Sequence, residues 1–246
     1  MKFLINVFNV VLYQPLFNAL ILLYKYLPGH DFGIAVIILT IVIRLILYPL
    51  MVQSIKSQKV LSELQPKIQE IQQKYKNDRE KQTKEMMSLY QKEKINPFSS
   101  FSLLLIQFPI LIAIYQVFWK GLRPETMANL YSFVSNPGPI NPTFLGIVNL
   151  SKTSLVLAVL AGIAQFFQSK MMTPSPAKAS EGKPHQKGGP EFSSMMQKQM
   201  LYFFPVFTVF ILLKLPAAIG LYWIITSLFS MLQQHLVFKK EYVKPS

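Results

Sequence analysis

Long runs without charge dominate this sequence. The clearest, FGIAVIILTIVIRLILYPLMV over residues 32–52, contains a single ionisable side chain deep inside it, Arg44. Crossing ~30 Å of hydrocarbon takes about 20 apolar residues at ~1.5 Å of helix rise each. Residues 100–119, 153–172, 199–215 and 217–237 meet or approach that length. The 199–215 run is short, and Leu215-Pro216 joins it to the next by a very tight turn, so the pair reads as a helical hairpin. The expected fold class is therefore an all-α membrane protein with five transmembrane helices. Composition agrees: 15% of residues are charged, against about 25% in an ordinary soluble domain. The absence of cysteine excludes disulfides, thiolate zinc sites, cysteine nucleophiles and iron–sulfur clusters. Three scattered histidines (His30, His185, His235) do not build a metal centre. No metal or cofactor is expected.

Charge distribution sets the expected orientation. With the N-terminus outside, five spans place the C-terminus inside. Eighteen Lys and Arg residues then lie on the cytoplasmic side, in 53–99, 170–198 and the basic tail 238–246. Six lie outside: Lys2, Lys25, Lys120, Arg123, Lys152 and Lys214. The net +14 is thus chiefly a topology signal rather than a nucleic-acid one.

Between the spans the chain reads as distinct pieces. In the extracytoplasmic segment 1–31, residues 3–27 are apolar but interrupted by Asn6, Asn9, Gln14, Pro15 and Asn18, and end in Tyr24-Lys25-Tyr26. An outer interfacial helix from about Leu16 to Leu27 suits this pattern, with a sixth span as the alternative. Residues 53–99 carry Leu61, Leu64, Ile68, Ile71 and Tyr75 at coiled-coil spacing, a turn signal at Asn77-Asp78, and a second apolar face from Met86, Leu89 and Tyr90. They are expected to form an antiparallel helical hairpin in the cytoplasm, kinked near Pro66. Residues 120–152 form an outer loop marked by turns, and 173–198 a flexible linker.

Arg44 lies about 12 Å from the inner end of its span. An arginine at such depth costs about 2.5–3.5 kcal/mol, and all eleven Asp and Glu residues fall outside the five spans. A hydrated cavity open to the cytoplasm offsets that cost better than snorkelling. Gln107 is expected at the same depth, and Thr40 one turn further out on the same face. Trp223, Thr226, Ser227 and Ser230 repeat at i, i+3, i+4 and i+7, a polar stripe on the last span. Polar groups from three spans then line one inner-leaflet groove closed outside by Trp223.

The order Thr40-x-x-x-Arg44 before Tyr48-Pro49, then LQPKIQ (64–69), EKINPF (93–98), LLIQFPI (104–110) and LPAAIGLYW (215–223) resembles the YidC-type membrane-protein insertases, a family with mitochondrial oxidase-assembly and chloroplast thylakoid relatives. The resemblance covers about residues 15 to 240. It implies a five-helix core, an outer interfacial helix, a cytoplasmic hairpin and a hydrophilic groove open to cytoplasm and lipid. On that resemblance Arg44 is the groove arginine, Gln107 the glutamine of the second core span, Trp223 the aromatic of the last span beside Tyr222, and Leu111 a substrate-contacting position. It implies a bacterial plasma-membrane location and nascent membrane proteins and the lipid bilayer as partners. The Sec translocon, the ribosome and the signal-recognition machinery are further candidate partners. The sequence carries neither a large extracytoplasmic domain nor a lipoprotein cysteine, which other members have, and the short tail argues against strong tail-mediated ribosome contact.

A membrane-protein insertase and chaperone, rather than an enzyme, is the expected function. No G-x-x-x-x-G-K-[ST] phosphate loop is present, so nucleotide hydrolysis is not expected. A transporter reading lacks internal repeats and intramembrane carboxylates. An intramembrane protease lacks a catalytic constellation within the spans. A scaffold or lipid scramblase would share the groove.

Overall fold

In the computed structural model the described residues are 2–93, 99–120, 124–172 and 199–242. The linker expected at 173–198 and most of the EKINPF motif fall outside them. The fold is mostly helical: α1 (Lys2–Phe8), α2 (Gln14–Tyr26), α3 (Phe32–Ile46), α4 (Tyr48–Glu63), α5 (Gln65–Lys74), α6 (Arg79–Lys92), α7 (Ser99–Lys120), α8 (Leu155–Met172), α9 (Phe204–Leu212) and α10 (Ala217–Tyr242). A two-stranded antiparallel hairpin, β1 (Thr143–Phe144) and β2 (Val148–Asn149), interrupts the loop before α8.

A π-helical turn at Asn9–Tyr13 makes α1 and α2 one continuous helix. Phe17, Leu20, Ile21 and Tyr24 of α2 are buried against the core. Its polar face meets the loop over residues 124–152 along nearly its whole length. Gln14 and Asn18 amides donate to Asn129 O, each at 3.2 Å, Asn18 Oδ1 accepts from Tyr131 N at 2.7 Å, Tyr24 Oη accepts from Asn141 N at 3.0 Å, and Lys25 bonds Ser135. The α1 half buries nothing.

The run expected as one helix over 32–52 is two. Asp31 caps α3, accepting from Ile34 N at 2.9 Å, and α3 ends at Ile46. The chain then bends by 69° into α4. Pro49, in the first turn of α4, has no N–H to donate, and its ring would strike the carbonyl four residues back if the helix ran straight on. A second break at Leu64 separates α4 from α5, which carries Pro66 in its first turn. Asp78 caps α6 through Lys81 N at 3.0 Å. The two short helices touch, with Gln82 donating to Gln72 O at 3.2 Å and Lys67 paired to Glu93 at 2.9 Å. Of the coiled-coil seam read from the sequence, Leu64 and Ile68 are buried. Partial burial also pushes the Tyr90 phenol above its ordinary pKa.

The core is built by α2, α3, α7, α8 and α10, with α9 laid against α8. Close approach requires glycine on α8: a Cβ on Gly162 would stand 2.5 Å from Val209 Cγ2 and 3.1 Å from Pro205 O. The first amides of α10, which have no helical partner, donate instead to the end of that loop, Ala217 N to Lys152 O at 2.7 Å and Ala218 N to Leu150 O at 3.0 Å. Among the described residues, the continuous helix Lys2–Tyr26 is long and apolar enough to cross a membrane, as is the bent pair Phe32–Ile46 with Tyr48–Glu63 taken together. Gln107–Trp119, Leu155–Met171 and Leu201–Leu212 are shorter apolar helices.

Candidate functional site

Because α3 stops two residues beyond Arg44, the 69° bend folds the start of α4 back over the guanidinium. Arg44 Nη1 meets Met51 Sδ at 3.8 Å. On its other side Nη2 donates to Gln107 Oε1 at 3.2 Å, and Gln107 Nε2 donates to Tyr222 Oη at 2.8 Å. One amide thus serves two helices, its oxygen facing the cation of α3 and its nitrogen facing the phenol of α10. Arg44 is 5% exposed and Tyr222 1%.

The guanidinium is therefore held by dipoles. Among the described residues the ion pairs are Lys59–Glu63, Lys67–Glu93 and Lys81–Asp78, none of which includes Arg44. A buried cation without a counter-ion retains a strong field in a low-dielectric setting, and it will bind an anionic or carbonyl-rich group that reaches it.

Thr40 lies one turn before Arg44, but its hydroxyl donates to Val36 O at 2.7 Å and is buried, so it serves its own helix. Leu111, one turn beyond Gln107, packs half-buried against the core. The stripe on α10 divides between two faces. Tyr222 turns to Gln107, whereas the Trp223 indole N–H donates to Gln165 Oε1 of α8 at 3.0 Å. Ser227 and Ser230 follow Trp223 at i+4 and i+7, and both are buried. The hydroxyls of Thr226 and Ser227 and Gln234 Oε1 are buried without a hydrogen-bond partner. Such atoms are where water or a polar chain is most readily accepted. Arg44, Gln107 and Tyr222 are thus brought together, while Trp223 bonds on another face, and Arg44 is more enclosed than an open groove would leave it.

Two glutamines beside His235, which the sequence reading did not assign to the site, lie inside. Gln233 is 2% exposed and Gln234 4%, and Gln233 Nε2 donates to Tyr48 O, at the elbow between α3 and α4, at 3.4 Å. The signal was present, since 234 extends the 223, 227, 230 repeat by one turn. Met51, buried Ser54 and Gln165 were also missed. Their pairing depends on the bend and on the neighbouring helix, which no periodicity within one segment reveals.

Comparison with known proteins adds an independent line. The family model described as 60Kd inner membrane protein matches residues 22–244. A protein of Clostridium tetani named membrane protein insertase YidC is 35% identical over 214 residues, covering 87% of this chain and 84% of the relative. A protein of the same name from Fusobacterium nucleatum is 32% identical over 210 residues, covering 85% and 87%. Another from Geobacter metallireducens is 34% identical over 231 residues, covering 93% of this chain but 37% of that longer protein.

Proposed function

This chain belongs to the YidC family of membrane protein insertases, and from that premise we propose that it inserts nascent membrane proteins and assists their folding through the polar site at Arg44. It acts in the bacterial inner membrane with the N-terminus outside and the C-terminus in the cytoplasm. The five runs identified in the sequence are its spans, and α5 with α6 is a cytoplasmic hairpin that receives clients. The bonds from Gln14, Asn18 and Lys25 to the outer loop support an interfacial position for α2, since a helix bonded to one loop from residue 14 to 25 lies along that face.

The observation that carries the reading is a buried guanidinium answered by an amide and a thioether, with the Tyr222 phenol holding that amide from its other side. A client entering from the cytoplasmic side presents an acidic or carbonyl-rich segment that takes the place of Gln107 at Arg44. Hydrogen bonds to a charged group contribute about 1.5–3 kcal/mol net, so the exchange is nearly balanced and reversible. Access requires α4, which lays Met51 over the guanidinium, to yield at its elbow. Release follows because the client's own apolar helix gains about 0.3–0.6 kcal/mol per apolar residue in lipid. Hydrophobic partitioning, rather than nucleotide hydrolysis by this chain, drives the step.

Photo-crosslinking from positions 44, 107 and 222 to a stalled nascent membrane protein tests this. The expected result is client adducts at all three. Adducts absent from 44 and 107, with client present and expression equal, would overturn the assignment of the site.

A further inference from the structure

The β1–β2 hairpin ends in three residues, two of them large, apolar and in the open: Leu145 is 60% exposed and Ile147 83%. We propose that this tip inserts into the outer leaflet of the bilayer and anchors the outer loop to lipid at the first turn of α3. The proposal rests on the orientation given above.

The tip is held in place rather than trailing in solvent. Phe144 lies over Gly33, where a Cβ would stand 2.2 Å from the ring, and Leu145 N donates to Asp31 Oδ2 at 2.5 Å. Asp31 also caps α3, so the tip sits level with the start of that helix, where a spanning α3 would leave the hydrocarbon.

Leu145 is a costly residue for its place. Its φ is +52°, in the left-handed region that glycine and asparagine occupy more readily than branched apolar residues. Packing within the chain does not account for the leucine, because most of its side chain touches nothing. Strain at an exposed position points to a role for the side chain outside the chain.

Exposed aromatic residues on α2 and in the same loop point to lipid as the occupant. Tyr26 is 73% exposed and Phe133 72%. Lys25 stands over the Tyr26 ring at 5.6 Å and bonds Ser135, two residues beyond Phe133. Aromatic rings with lysine at one level are the composition of a membrane–water boundary. Two side chains on a three-residue tip are far too small for a stable protein interface, which buries about 800 Å² per partner.

The chain contains no cysteine, so Ile147→Cys and Ser151→Cys can each carry one environment-sensitive fluorophore in phosphatidylethanolamine–phosphatidylglycerol vesicles. The label at 147 is expected to shift to the blue and to be quenched by lipid bearing a doxyl group near the headgroup, while the label at exposed Ser151 stays water-like. Adding Leu145→Asn, which suits the same backbone, should weaken the quenching at 147. In parallel, Ser151→Cys should react with an impermeant maleimide from the outer side. A water-like signal at 147 with 151 reactive from outside would overturn the anchor and leave the orientation standing. A shielded signal at 147 that doxyl lipid does not quench would mean protein covers the tip, and would also overturn it. Reaction of 151 from the cytoplasmic side alone would overturn both readings.

Discussion

Arg44 is the residue on which charge, burial and helix position converge. Its cost in a lipid setting is known from its side chain alone, but its partners are set by which helices meet it. Arg44→Ala is expected to impair insertion of clients with acidic translocated segments, whereas Arg44→Lys, which keeps the charge, largely preserves it. An insertion assay at equal expression reads the difference. Gln107→Leu removes the acceptor from a buried cation and the donor from Tyr222, and should lower stability by about 1.5–3 kcal/mol. Tyr222→Phe keeps the ring and loses one neutral bond, so its cost should be smaller, about 0.5–1.5 kcal/mol. Thermal unfolding in detergent orders the two, and a Gln107→Leu protein that melts like the unaltered chain would show that the Arg44–Gln107–Tyr222 bonds contribute nothing. Sequence reading expected Arg44, Gln107 and Trp223 around one groove; in the structure Arg44 bonds Gln107, while Trp223 bonds Gln165. Neighbouring residues on a helix point about 100° apart, and here Tyr222 and Trp223 serve different partners.

At the scale of elements, proline separates two outcomes. Pro49 lies in the first turn of α4 and marks a 69° elbow, whereas Pro109 sits inside α7 without ending it. Local chemistry is the same in both; surrounding helices decide which break is tolerated. The elbow brings Met51 to Arg44, so α4 packs on the guanidinium as well as leading into α5 and α6. The α8–α9 contact depends on a missing side chain. Gly162→Ala would drive Val209 and the Pro205 carbonyl aside, and overpacking of this kind costs about 1–3 kcal/mol. Adding Val209→Ala removes the clash at Val209 Cγ2 and should recover a large part of the loss in a double-mutant cycle read by thermal unfolding. Strictly additive losses would mean that the two side chains do not meet.

For the molecule as a whole, the threefold excess of Lys and Arg on one set of loops predicts a single orientation. Single cysteines at Lys76, in the turn between α5 and α6, and at Ser151, beyond β2, should react with an impermeant thiol reagent from opposite faces of the membrane. Reaction of both from the same face would refute the proposed topology. The loop over residues 124–152 binds α2, the residue that caps α3 and the start of α10, so this end of the molecule is tied together by hydrogen bonds.

Apolar runs of span length, the single arginine within the first of them and the clustering of Lys and Arg between them were all legible in the linear chain. Each depends on the cost of placing a given side chain in hydrocarbon or on one side of it, and that cost hardly depends on neighbours. The elbow angle, the burial of Gln233 and Gln234, the turning of Trp223 toward Gln165 and the enclosure of Arg44 were decided by tertiary packing. Each depends on which helix lies opposite and how closely it approaches, and segments far apart in sequence set those distances only once they are folded together.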